Sequence, residues 1–337
     1  MAKHIVFIFT VLMITLSSCE EGTNYKMTSG GAPGEVIVVV DDELWKSHTL
    51  GDTIRWFLED IVPGLPQQEY MFNIGQYDPD RFSRVMRSHR NIILFEISQK
   101  VKNPRAEYLR DSWAANQIVI KLHAPDAEAA TALFVAESNK IVSLLNSTER
   151  ERLIKRHKNE NSGSIEATLK DKHNILMNIP VDFRLAEDKG NFIWLARDRI
   201  RYVSGEAHDV DEGIFIYYYP YTNDSTFSSD FLLRVRDSVC KANVPGPSEG
   251  SYMSTERDSM YYPIFTATTH NKKYAAEIRG LYRTVNDFYG GPFISLTTLD
   301  EARNRIVTVD CFVFAPKFHK REYLREMEAI CYSLNFP

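Results

Sequence analysis

Apolar and polar positions alternate along this chain in several rhythms, and each predicts a different element. Residues 5–16 are an almost unbroken apolar run, and residues 35–40 (Glu-Val-Ile-Val-Val-Val) are a β-branched run of the kind buried on both faces of a sheet. Asp41 or Asp42 can cap a short helix carrying Trp45. Ile54, Phe57, Leu58 and Ile61 then recur at helical spacing, and Pro63-Gly64-Leu65-Pro66 stops that helix. The pattern predicts a strand over 70–74, a helix opened by Asp78-Pro79 and running through Met86, strands over 91–97 and 117–122, and a long helix over 125–145. Farther on it predicts strands over 175–179, 192–196 and 213–219 and an amphipathic helix over 231–239. A Pro/Gly/Ser loop over 245–251, strands over 264–269, 274–282, 293–297 and 305–314, and a closing helix over 320–334 complete the chain.

Strands interleaved with helices predict a mixed α/β, or α+β, fold of two sheet-and-helix layered halves joined by a charged helical linker. The expected organisation is a signal peptide over 1–18, a flexible tether over 19–34, an N-terminal α/β domain over 35–146, the linker over 147–173 and a C-terminal α/β domain over 174–337. The linker stretch Thr148 to Glu160 carries both charge signs, which reads as a solvated helix laced with i,i+4 pairs rather than a basic patch.

The N-terminus adds a location. Lys3 and His4 precede the apolar run, which is too short to span a bilayer, and Leu16-Ser17-Ser18-Cys19 follows it. That ending resembles the bacterial lipobox, so Cys19 is the expected lipidation site and the lipid the expected membrane anchor. Over the 337 residues the formal charge is −5, which supplies no basic footprint for nucleic acid. Three further cysteines, Cys240, Cys311 and Cys331, are widely spaced and read as buried thiols, although Cys311 and Cys331 could meet in the core.

Candidate chemistry is sparse. No HExxH, close His pair or Gly-x-Ser-x-Gly elbow occurs, and no metal or cofactor is expected. Asp41 and Asp42 stand at a buried-type strand end, where open α/β sheets place ligands, with Trp45 nearby. Glu206 to Glu212 is an acidic stretch that reads as a solvated loop. Gly290-Gly291-Pro292 reads as a tight strand connection or a loop along which a ligand approaches the backbone, and Arg279 as the partner of Glu277. Aromatic content of 12%, densest at Tyr217-Tyr218-Tyr219-Pro220-Tyr221, suits a stacking or partner surface.

Several runs are specific enough to carry a resemblance: Asp111-Ser112-Trp113-Ala114-Ala115-Asn116-Gln117, Arg279-Gly280-Leu281-Tyr282, Asn286-Asp287-Phe288, Gly290-Gly291-Pro292-Phe293 and Phe312-Val313-Phe314-Ala315-Pro316-Lys317. Together they resemble a family of Bacteroidota lipoproteins known only as a domain of unknown function. Tyr282 and Tyr289 stand where that family usually has Trp and Met, and both remain bulky. The resemblance implies an envelope location, with the outer membrane expected and the body facing the periplasm or the exterior. It transfers no activity. The expected function is therefore non-enzymatic binding of a partner protein or an envelope glycan. Candidate binding residues are Asp41, Asp42, Trp45, Trp113, Arg279, Gly290, Gly291 and Pro292. The alternative is a hydrolase whose site assembles only in three dimensions.

Overall fold

The computed structural model describes residues 26–337, so Cys19 and the apolar run before it lie outside the described residues. The first sheet orders its strands β2 (Asn73–Tyr77), β1 (Glu35–Val39), β3 (Asn91–Ile97), β5 (Ile118–Ala124) and β4 (Arg105–Arg110). β2, β1, β3 and β5 run parallel, and β4 closes the edge antiparallel to β5. The β-branched run sits between two parallel neighbours, which is why it alternates with no polar residue. Helices α1 (Asp42–Lys46), α2 (Leu50–Leu58) and α3 (Ala127–Asn159) follow, and α2 and α3 cover one sheet face through Leu50, Ile54, Leu58, Phe134, Ile141 and Leu145. Met27 to Gly30 lie against this half, with Ser29 N donating to Ala115 O and Gly30 N to Ser88 O at 2.9 Å each.

The second sheet is antiparallel. Its strands order as β10 (Ile264–His270), β11 (Lys273–Val285), β12 (Gly290–Asp300), β13 (Arg305–Phe314), β8 (Glu206–Pro220), β7 (Phe192–Val203) and β6 (Arg184–Asp188), with β9 (Tyr252–Thr255) pairing the end of β11. One face packs on α4 (Gly163–His173) and α6 (Arg321–Cys331) through Ile165, Leu169, Leu324, Met327 and Ile330. The other packs on α5 (Ser229–Asn243) through Leu232, Leu233 and Cys240. Cys311 on β13 and Cys331 on α6 are buried free thiols with Sγ atoms 3.2 Å apart.

The two-sheet, two-half architecture matches the fold read from the sequence, but several elements differ from the pattern. Residues 79–81 and 86–88 form two short 3-10 turns in place of one helix, and Phe82 and Met86 pack on the uncovered face of the first sheet. Ile175, Met177 and Ile179 alternate inward like a strand, yet that segment makes only isolated bridges, such as Leu176 with Asn335. Glu206 to Glu212 is part of β8 rather than a loop. Its outer end pairs with β7 in a hairpin tip exposed on both sides, which erases the apolar alternation that would have marked it. Gly290-Gly291-Pro292 lies inside β12, paired with Leu281 to Arg283, and the turn comes just before it, with Asn286 at φ 63°.

The charged stretch is solvated on one face, where Glu151, Lys155, Arg156, Lys158 and Glu160 are exposed and Arg156 lies 4.0 Å from Glu160 at i,i+4, but not on the other. Helix α3 continues unbroken through Asn159, and Thr148, Glu149, Leu153 and His157 are buried on it. Glu149 is 0% exposed and pairs with Arg90 at 3.0 Å and Arg152 at 2.7 Å. Farther along, Arg150 meets Glu328 of α6 at 2.7 Å, while Arg156 and His157 meet Glu326 at 3.1 and 3.5 Å. The partners on α6 are remote in sequence, so these buried pairs leave no local spacing to read.

Candidate functional site

The structure scatters the residues singled out from the sequence. Asp41 spends its carboxylate on the cap of α1, accepting from Glu43 N at 2.9 Å. Asp42 accepts from Gln76 Nε2 at 3.0 Å and pairs with Arg81, and the Gln76 amide followed by the Arg81 charge holds its carboxyl below the usual range. Trp45 lies beneath the Arg55 guanidinium, 4.6 Å from the ring centroid. Trp113 sits elsewhere in the first half, edge-on to Phe82 at 6.0 Å. Arg279 is held by Glu277 at 2.7 Å and Glu328 at 2.9 Å, on the α6 face of the second sheet. It lines a small cleft between the halves with Arg321, Arg325 and Glu328, in which every arginine has an acceptor.

Gly291 belongs to a different place, on the α5 face. There the sheet extends past the C-terminal end of α5, and the chain leaving that helix, Val244 to Pro247, overhangs it. The space beneath is a cavity of about 190 Å³. Alternate residues of four strands supply its floor: Trp194, Ala196 and Asp198 of β7, Asp211 of β8, Phe312 (which lies over Gly213) and Phe314 of β13, and Tyr282 and Thr284 of β11. Tyr289, from the turn before β12, stacks on Phe314 at 4.6 Å and 27°. Tyr282 meets Phe312 edge-on at 5.3 Å, and Trp194 meets Phe215 edge-on at 5.5 Å.

Two glycines make this floor low enough to be a cleft. A Cβ on Gly213 would stand 2.0 Å from Phe312 Cε1, so the absent side chain lets the Phe312 ring lie across β8. A Cβ on Gly291 would stand 2.1 Å from Val313 O and 3.2 Å from the Tyr282 ring. The glycine therefore serves close approach of strands, and the positive-φ role that its sequence suggested falls to Asn286.

The polar groups of the cleft are unevenly satisfied. Asp198 and Asp211 stand directly opposite on β7 and β8. Asp198 pairs with Arg184 at 2.7 Å. Asp211 is half-buried, and the charges that bear on it are those of Asp198, Asp209 and Glu212, all carboxylates. Burial first, and those neighbours next, push its carboxyl above the usual range. Burial and the Asp211 charge likewise push up the Tyr282 phenol. The buried Trp194 indole Nε1 has no acceptor among the described residues. Glu212 points through to the other face, where Arg197 holds it at 2.8 Å. The cleft thus presents aromatic faces with a negative quadrupole and a carboxylate with no cation partner among the described residues.

Apart from Gly291, none of these residues stood out in the sequence as a site. Each is a single member of a period-2 strand, and the acidic cluster that includes Asp211 reads as a loop because its hairpin is solvated. Tyr282 and Tyr289 did stand out, as departures from the family pattern, and both line the cleft.

Comparison with known proteins places the chain without assigning it a role. A family model described as a domain of unknown function (DUF4837) matches residues 162–333, just over half of the chain and all of the cleft. A second, also described as a domain of unknown function (DUF8532), matches residues 29–158. No curated protein matches the sequence. Among solved structures, the Ran-binding protein Mog1p of Saccharomyces cerevisiae is similar at 11% identity and TM-score 0.32, over 48% of this chain and 90% of that one. A point mutant of Mog1 aligns at 12% identity and TM-score 0.29, with the same coverage. Similarity at that level bears on neither fold nor function here.

Proposed function

The chain belongs to the family described as a domain of unknown function (DUF4837), and from that premise we propose that it is a non-enzymatic binding protein of the bacterial cell envelope. In this reading Cys19 carries the lipid that holds the protein to its membrane, and the cleft over β7, β8, β13 and β11 seats a projecting group of a partner protein or an envelope glycan. The observation that carries the reading is the combination of five aromatic side chains, Trp194, Tyr282, Tyr289, Phe312 and Phe314, with a carboxylate that no cation pairs among the described residues. Rigid aromatic side chains contribute contact area at little entropic cost, and such anchors dominate binding surfaces. The lipidation and the Bacteroidota origin rest on the N-terminal sequence and on the family resemblance.

The test is crosslinking and mass spectrometry on the intact envelope of the native organism, with wild type, Cys19→Ala and Tyr289→Ala. Capture of one defined partner by the wild type, lost in both variants, is the expected result. An absence of any partner, together with turnover of envelope substrates by the purified chain, would replace this reading with a hydrolase.

A further inference from the structure

We propose that the group seated in the cleft is a cationic ammonium, presented as a lysine side chain of a partner protein. The inference rests on the binding reading above and narrows its ligand. The Asp211 carboxylate, opposite Asp198, near Asp209 and against apolar rings, is unfavourably placed in the free protein. The nearest cation of the site, Arg184, is engaged by Asp198. From β11 the group that faces Asp211 is the Tyr282 phenol, and from β13 the paired residue is Phe314, so neither supplies a positive charge. One incoming cation would relieve all of these contacts at once.

The walls select which cation. A guanidinium would bring five N–H donors and want a second planar acceptor, whereas the cleft offers one free carboxylate and π faces. An ammonium on a flexible alkyl arm fits better: its methylenes lie along Phe312, Phe314 and Tyr289, and its charge sits among ring faces beside Asp211. A cavity of about 190 Å³ suits a single side chain.

The rim argues for a polypeptide carrier. Phe288, at the tip of the β11–β12 turn, is fully exposed beside Tyr289, and the Val244 to Pro247 segment forms the facing lip. An exposed phenylalanine next to a side-chain-sized pocket offers apolar contact to whatever flanks the lysine, which a free amine would not use.

The experiment is a titration of the full chain, followed by the Trp194 indole N–H resonance. The probes are an acetyl-Leu-Lys-Leu-amide tripeptide, the same peptide acetylated on its lysine Nζ, and n-butylammonium. The expected result is a saturable shift with the free-lysine peptide, about tenfold or more weaker binding when the Nζ is acetylated, and a comparable loss in Asp211→Asn. Phe288→Ala should weaken the peptide to the level of n-butylammonium and leave n-butylammonium itself unchanged. Equal binding of free and acetylated peptides, or unchanged affinity in Asp211→Asn, would overturn the ammonium assignment. Butylammonium binding as tightly as the peptide would overturn the polypeptide carrier. If envelope crosslinking still captures a partner in Asp211→Asn, the binding reading survives the loss of this one. If wild type captures none, the binding reading falls first.

Discussion

Asp198 of β7 and Asp211 of β8 form a directly registered cross-strand pair, two carboxylates facing each other on the same side of the sheet. Like charges so placed oppose folding, and only Asp198 has a basic partner, Arg184. Removing the unpaired charge should therefore stabilise the protein. Asp211→Asn should raise the unfolding free energy at pH 7 by roughly 0.5–1 kcal/mol, the usual scale of such a pair. Because the folded state raises the Asp211 pKa, its contribution is favourable at low pH and is lost as pH rises through the raised value. Denaturant titrations from pH 3 to 7 should show the advantage of Asp211→Asn over wild type growing as pH rises.

Glu326 behaves oppositely. Burial pushes its carboxyl up, but His157 and Arg197 outweigh burial and hold it at about 2. A depressed value means stability that is present above the ordinary glutamate range and lost as pH falls from about 4.5 towards 2. Glu326→Gln should cost roughly 3 kcal/mol at pH 7, since it strips a carboxylate from the buried Arg197 and from Arg156. Most of that difference should vanish at pH 2, which chemical denaturation at the two pH values checks.

Arg236 and Asp310 are a fully buried pair under α5, joined at 2.7 Å, with Thr255 Oγ1 accepting from the same guanidinium at 2.9 Å. Arg236→Ala leaves the Asp310 charge alone in the core and should destabilise by roughly 3–5 kcal/mol. The double change Arg236→Met with Asp310→Leu should recover most of that loss. The comparison of the two midpoints in urea separates the cost of an orphaned charge from the worth of the pair.

Gly213→Ala tests the floor of the cleft. The new methyl would displace the Phe312 ring, with an expected cost of about 1–3 kcal/mol. Ligand affinity should fall by more than global stability explains, because Phe312 also positions Tyr282. Calorimetry of both variant and wild type reads the two effects on one sample.

The sequence reveals what is local. Strand β1 is legible because it runs between two parallel neighbours, and the Asp41 cap because the N–H that donates to it lies two residues away. Strand β4 leaves little mark: half of its six residues are charged, it is an edge, and its ladder comes from β5 alone. The outer ends of β7 and β8 leave none either, since solvent on both sides removes alternation. The cleft is harder still. Trp194 and Asp211 share the β7–β8 hairpin, but Tyr282 and Phe312 join them only through the register of β11 and β13 across the sheet, and no period in the sequence encodes that register. The buried charges of α3 fail for the same reason, because Glu326 and Glu328 lie far down the chain.

Helix α3 spans 33 residues, about 50 Å end to end. Its first half is built into one core and its last turns are tied by ion pairs to α6 beneath the other. The same helix is thus a structural member of both halves: a substitution at Glu326 or Glu328 of α6 acts on a helix whose other end belongs to the first sheet's core.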